Sequence, residues 1–221
     1  AQVAQLDETY FPAGYHYEYV EANKKGYSGV AIYSKQKPIN SIRTFGHELS
    51  DFEGRYLQFD YEHFSVISLY LPSGSSGDER QALKYEFLEA FEAHLKTLKE
   101  TGHAYVICGD WNIVHTQKDI KNWKGNQKNS GCLPEERAWL DNLFDNIGYV
   151  DAFRVLNQEE GQYTWWSNRG QAYANNTGWR IDYQVVRTNL REHIEAVFVY
   201  KEQKFSDHAP LIIDFKESAF V

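Results

Sequence analysis

Val106-Ile107-Cys108-Gly109-Asp110-Trp111-Asn112 is an apolar run that ends in glycine and then delivers a carboxylate and an amide two residues apart. The run reads as a buried strand. Side chains at i and i+2 of an extended chain share a face, so Asp110 and Asn112 point the same way wherever the extension persists. Just past a strand end, such a pair can hold a divalent cation or orient a water. Taken alone, the stretch favours a plainer reading, a strand closing in a turn, because Asp and Asn are common turn residues.

Upstream of this strand, at 104–109, residues 78–101 carry Leu83, Phe87, Leu88, Phe91, Leu95 and Leu98 at helical spacing. Asp78 and Glu79 suit the positive end of that helix, Lys96 and Lys99 suit its negative end, and Gly102 stops it. Before the helix, Pro72-Ser73-Gly74-Ser75-Ser76-Gly77 is a loop. Residues 55–61 and 64–71 read as strands, and the short Glu62-His63 link predicts an antiparallel hairpin. A further strand is expected at 27–34, while 1–26 mix aromatics and charges without a clear period.

Downstream, 116–131 is a polar loop with Lys118, Lys121, Lys124 and Lys128 against Asp119 alone. Pro134 opens a second helix, with Trp139, Leu140, Leu143, Phe144 and Ile147 on one side and Gly148 at its end. Strands are expected at 163–166, 181–188, 195–200 and 210–215, with a polar loop at 167–178. Strands following one another across short links predict an α/β fold with mixed or antiparallel sheets.

The 221 residues show no repeat and no linker rich in Pro or Gly, so one domain over 1–221 is the economical reading. A 42% hydrophobic and 16% aromatic content excludes disorder. The sequence holds no stretch of eighteen apolar residues, and its first residues lack the basic and apolar regions of a signal peptide. Two cysteines, Cys108 and Cys132, are too few for a disulfide framework, which fits a reducing cytoplasm. A net charge of −8 argues against polyanion binding by the whole surface, though not against a local basic patch beside a metal. The absence of Met, even at position 1, predicts a chain that is processed, truncated or engineered.

Four groups stand at strand ends or in the loops after them: Tyr70, the pair Asp110 and Asn112, Asp182, and the pair Asp207 and His208. Each alone has a plain structural reading; Asp182, for one, could be the ion-pair partner of Arg180. Together they match what phosphodiester hydrolysis needs: a cation on the phosphoryl oxygens, an activated water, and donors for the transition state. Carboxylate and amide oxygens suit a hard ion such as Mg²⁺.

Gly109-Asp110-Trp111-Asn112, Gly178-Trp179-Arg180-Ile181-Asp182-Tyr183 and Ser206-Asp207-His208-Ala209-Pro210 resemble three signature motifs of the exonuclease III-type apurinic/apyrimidinic (AP) endonucleases, within the endonuclease/exonuclease/phosphatase superfamily. Lys25-Gly26-Tyr27-Ser28-Gly29-Val30 and the stretch 126–137 resemble the DNA-repair branch. The resemblance runs in order from about residue 20 to 215 and implies a four-layered α/β sandwich of two facing mixed sheets.

By that resemblance Asp110 orients or deprotonates the attacking water and Asn112 helps position it. Asp182 orients His208, which stabilises the phosphoryl group, and Tyr70 contacts the scissile phosphate or assists the leaving oxygen. Asp207 binds the metal, with Asp110 and Asn112 as further ligands. Lys25, Gly26, Tyr27, Asn126, Lys128, Asn129, Trp165 and Trp179 are the implied DNA contacts, the two tryptophans lining a pocket for the abasic sugar. Trp165 reads equally well as core packing. The implied ion is Mg²⁺, with Mn²⁺ as the alternative. The implied partner is double-stranded DNA carrying abasic sites or blocked 3′ ends, met by a monomer in the cytoplasm, or at the nucleoid of a prokaryote.

The pattern departs from the family at its start. Family members begin with a strand, a helix and a second strand ending in Gln-Glu-x-Lys, whose Glu is a principal metal ligand, and nothing here corresponds. The expectation is therefore an N-terminally truncated domain lacking roughly thirty to forty residues. Loop 73–76 also lacks the Asn and Arg found there in some relatives. These departures keep two alternatives open, a non-catalytic DNA-binding fragment and a phosphodiesterase of the same fold with another substrate.

Overall fold

The computed structural model describes residues 2–220. Its first hairpin pairs β1 (His16–Glu21) with β2 (Gly29–Ser34). Next come β3 (Asn40–Ile42), the short helix α1 (Glu48–Glu53), β4 (Tyr56–Asp60), β5 (Phe64–Tyr70) and the long helix α2 (Asp78–Glu100). After α2 the chain forms β6 (Ala104–Asp110), the single turn α3 (Trp123–Asn126), α4 (Pro134–Asp141), β7 (Tyr149–Asp151) and α5 (Ala152–Leu156). Strands β8 (Trp165–Trp166), β9 (Gly178–Trp179), β10 (Asp182–Arg187), β11 (Ile194–Val199) and β12 (Leu211–Phe215) complete it.

Six of these strands form one mixed sheet in the order β3-β4-β5-β6-β10-β7. Its one parallel pair is β5 with β6, and α2 makes the crossover between them, as a parallel connection requires. Period-two alternation divides the sheet into two faces. Tyr56, Ile67, Leu69, Ile107, Tyr183 and Val185 meet Phe87, Leu88, Phe91 and Leu95 of α2 in the main core. Val106, Val150 and Val186 point the other way, toward Val197, Ile213 and Phe215. Leu57 and Phe59 on that same face meet Val20, Val30 and Ile32. Each fully buried Leu or Phe contributes about 1.5–3 kcal/mol, so the α2 stripe is the main anchor of the sheet.

The expected second sheet takes the form of two separate antiparallel hairpins, β1–β2 and β11–β12, both lying on the face opposite α2. The α2 helix, the β4–β5 hairpin and β6 fall where the periodicity puts them. The second helix does not stay regular: after α4 the chain runs through a π-helical turn, Asn142–Ile147, before Gly148 closes it in a left-handed conformation. Strand β1 lies in the stretch that showed no period, for a physical reason: none of its residues is buried, so no alternation marks it. Strands β3, β7 and β9, of two or three residues each, and helices α1 and α5, of six and five, are too short to carry a period. No helix among the described residues is long and apolar enough to cross a membrane.

Candidate active site

Register across the sheet places three of the expected residues in one row. Tyr70 on β5 is the partner of Asp110 on β6, and Asp110 is the partner of Asp182 on β10. Directly paired residues share a face, so a phenol and two carboxylates stand side by side at one end of the sheet, on the face opposite α2. Gly109 makes this possible. Its φ is +149°, and a Cβ there would lie 1.8 Å from the Leu69 carbonyl oxygen, so only glycine lets β5 and β6 close at this point.

The extended chain expected from Asp110 to Asn112 is not what forms. Asn112 sits at φ +50°, in the left-handed region, and the two side chains meet because the chain turns. The Asn112 backbone N–H donates to Asp110 Oδ1 at 2.8 Å, and its side-chain amide donates to Asp110 Oδ2 at 3.2 Å and to the Leu71 carbonyl at 2.9 Å. The turn reading of the stretch holds, since Asp110 and Asn112 form an Asx turn, and the Asn112 amide donates while its side-chain oxygen is turned to neither of those partners.

Asp182 and His208 are brought together from 26 residues apart. His208 Nδ1 donates to the Asp182 carboxylate at 2.9 and 3.1 Å. The Thr164 hydroxyl accepts from the Ile181 and Asp182 amides at 3.2 Å each, and the Thr164 carbonyl accepts from Ala209 N–H at 2.7 Å. Burial alone would lower the His208 pKa, but the hydrogen bond to Asp182, with the charges of Asp182, Asp110 and Asp207, raises it to about 9. At neutral pH the ring is an imidazolium, which leaves a second N–H to donate. Asp110 is raised to about 7, first by burial and then by the charge of Asp182. Asp182 pairs with His208 and not with Arg180, whose guanidinium donates to Asp119 and Asp151 at 2.7 Å each.

Tyr70 is held by a residue the sequence did not single out. Arg55, only 3% exposed, places its guanidinium 4.8 Å from the Tyr70 ring centroid, donates to the Tyr70 carbonyl at 2.9 Å, and donates to Glu53 at 2.7 Å. Burial, then the charge of Asp110, push the Tyr70 pKa above the usual phenol value, so it stays a protonated donor. Lys25, Gly26 and Tyr27 lie exposed at the same corner. Lys24 and Arg80 stand 5.2 and 5.8 Å from the Tyr27 ring centroid.

Among the other expected contacts, Lys128 and Asn129 are exposed and Asn126 is half-buried; Asn129 donates to the Asn126 side chain at 2.8 Å. Trp165 and Trp179 pack edge to face at 5.9 Å, both half-buried against Ile120, Cys132 and Ile181. Lys118, Lys121 and Lys124 are exposed, but Asp119 is fully buried between Arg180 and Arg154 and does not offset their charge at the surface.

A cation at the Asp110 corner is consistent with the donor chemistry. The oxygens are hard, and Asp110, raised first by burial and then by the charge of Asp182, is a carboxylate that a nearby cation would stabilise in its charged form. Asp207 is half-buried, and its Oδ2 accepts from Trp165 Nε1 at 3.1 Å. Among the described residues no three His, Cys, Asp or Glu side chains converge into a cage, so a bound ion would keep waters or share oxygens with a phosphate.

A family model described as "Endonuclease/Exonuclease/phosphatase family" matches residues 1–208. The chain is 38% identical to the exodeoxyribonuclease of Bacillus subtilis over 201 residues, covering 90% of this chain and 79% of that protein. It is 37% identical to the DNA-(apurinic or apyrimidinic site) endonuclease of Dictyostelium discoideum over 216 residues, covering 94% of this chain and 58% of that one. The solved structure of an AP endonuclease from Archaeoglobus fulgidus superposes with a TM-score of 0.86 at 26% identity, covering 97% of this chain and 85% of that chain.

Proposed function

The chain belongs to the endonuclease/exonuclease/phosphatase family, and from that premise we propose that it is a DNA-repair phosphodiesterase, one domain over residues 1–221, which hydrolyses the backbone on the 5′ side of abasic sites. An exonuclease running 3′→5′ and removal of blocked 3′ ends belong to the same proposal. Double-stranded DNA is the partner, a monomer the acting form, and the cytoplasm or nucleoid the place. The observation that carries the reading is the row Tyr70–Asp110–Asp182 with His208 seated on Asp182.

In this row Asp110 accepts a proton from, or orients, the attacking water, and the Asn112 side-chain oxygen fixes that water's second hydrogen. Asp182 holds the His208 ring so that its free N–H meets a phosphoryl oxygen as charge develops there. The Tyr70 phenol donates to the phosphate or to the leaving oxygen. Asp207, Asp110 and Asn112 are the residues to hold a divalent ion, Mg²⁺ with Mn²⁺ as the alternative; when bound, it supplies charge neutralisation on the phosphate. Asn126, Lys128, Asn129 and the Lys25-Gly26-Tyr27 corner contact the DNA backbone, while Trp165 and Trp179 face the abasic sugar. Several backbone contacts make binding weaken as salt rises.

Incubation with a duplex carrying one abasic analogue tests the reading. In Mg²⁺ the strand is cut 5′ of the lesion, and Asp182→Ala or His208→Ala lowers the rate by about 10²- to 10⁴-fold. Cutting that is undiminished in both variants overturns the assignment. Binding without turnover at millimolar Mg²⁺ favours the non-catalytic DNA-binding alternative instead.

A further inference from the structure

Behind Asn112 lies an ion pair that none of the roles above uses. Lys84 of α2 and Glu136 of α4 are both fully buried, with Nζ to Oε1 at 2.6 Å. A buried pair of this kind adds little net stability compared with two packed apolar side chains, so its presence calls for a reason beyond holding the fold together.

The reason lies in what the pair holds. Lys84 Nζ also donates to the Asn112 carbonyl at 2.9 Å, and so ties down the residue that turns left-handed beside Asp110. Glu136 Oε2 accepts from the Gly131 N–H at 2.6 Å and from the Leu133 N–H at 3.1 Å. Its Oε1 accepts from Gln81 at 3.1 Å. The loop that carries Asn126, Lys128 and Asn129 therefore ends on Glu136, while the turn that carries Asn112 ends on Lys84. A backbone bond from Val114 N–H to the Gly131 carbonyl, at 2.6 Å, runs beside the pair. Gly131 is at φ +88°, and a Cβ there would stand 3.0 Å from the Asn112 carbonyl oxygen and 3.2 Å from the Trp179 ring. Ser130 completes the junction, accepting from the Gly74 N–H of the serine-glycine loop at 3.1 Å.

We infer that Lys84 and Glu136 are positioning residues that latch the Asp110–Asn112 turn to the loop gripping the DNA backbone, fixing the water-orienting pair relative to the bound strand. The inference rests on the proposed phosphodiesterase reading, and its chemistry requires no covalent step. The pair sets a geometry, and a displacement near 1 Å at a reacting group costs about 10²-fold in rate.

The test compares Lys84→Met with the double variant Lys84→Met/Glu136→Leu. Lys84→Met alone strands a buried carboxylate and lowers both Tm and kcat. The double variant removes both charges and recovers part of that Tm loss, since an apolar replacement of a buried pair is itself close to neutral, while the Gly131 and Leu133 N–H groups left without their acceptor keep it below wild type. Its kcat on the abasic duplex stays about 10²-fold below wild type with KM within about twofold, the split expected when alignment and not binding is lost. Hydrogen exchange of the double variant shows the amides of 112–114 and 131–133 loosening together while those of 183–186 keep their protection. A double variant that regains kcat along with Tm reduces the pair to a structural role and overturns the inference. Unchanged exchange in both segments overturns it as well. Wild-type protein that fails to cut the duplex overturns the function reading instead, and the exchange arm then decides the latch by itself.

Discussion

Arg180 and Asp182 are two residues apart, yet the buried charges around them are balanced in opposite ways. Around Arg180 two acids meet two guanidiniums: Asp119 accepts from Arg180 at 2.7 Å and from Arg154 at 2.5 Å, and Asp151 accepts from Arg180 at 2.7 Å. Burial alone would raise the Asp119 pKa, but the charges and hydrogen bonds of Arg180 and Arg154 hold it far below the usual carboxylate range. Around Asp182 the sum is different. His208 is the one hydrogen-bonded cation given to that carboxylate, and Asp110 beside it is raised to about 7. A matched network of this kind fixes the backbone on which β9 and β10 meet. An acid surplus gives the protein little in stability, and it suits a site that receives a cation, a proton or a phosphate.

The largest effect that could break this contrast is at the matched network. Arg180→Leu strands Asp151 in the interior, leaves Asp119 with Arg154 as its remaining cation, and is expected to cost about 3–5 kcal/mol in urea unfolding. A cost below 1 kcal/mol would show that the network is no more structural than the row beside it. Second in size is its acid response. The folded-state pKa of Asp119 lies below the unfolded one, so its contribution is present above about pH 4 and is lost as pH falls toward the folded value. Asp119→Asn should flatten the fall in stability below pH 4, while stability at pH 7 drops because the pairing is already gone. The smallest stability effect belongs to the surplus. Asp110→Asn relieves the repulsion from Asp182 and should leave metal-free stability unchanged or raise it by about 1 kcal/mol, the scale of one pKa unit. In the same variant, turnover should be lost. A destabilisation as large as that of Arg180→Leu would erase the distinction.

The parts of the molecule that repeat a local pattern could be read from the chain. The α2 stripe, the β4–β5 hairpin and the apolar run of β6 are each set by their own residues, and the site side chains fall at strand ends or in the loops beside them. Features set by distant partners could not be read this way. Arg180 could be paired with Asp182 on sequence nearness, but its true partners lie 61 and 29 residues away. Lys84 carries no local signal of burial, and a carboxylate 52 residues on explains why it is buried. The left-handed turn at Asn112 had a local signal, the Asp/Asn pairing, and that signal does not exclude a site on the same two side chains. Strand β1 had none, because a strand with no buried residue leaves no trace in hydropathy.

The central claim is that Asp182 acts through His208, on a row shared with Asp110. The most direct test is a double-mutant cycle of single-turnover rates on an abasic duplex in Mg²⁺, using Asp182→Asn, His208→Gln and their combination. Residues that act as one unit are strongly non-additive, so the double variant should be about as slow as the slower single variant. Losses that multiply through the cycle would mean that the two side chains work separately and would contradict the account.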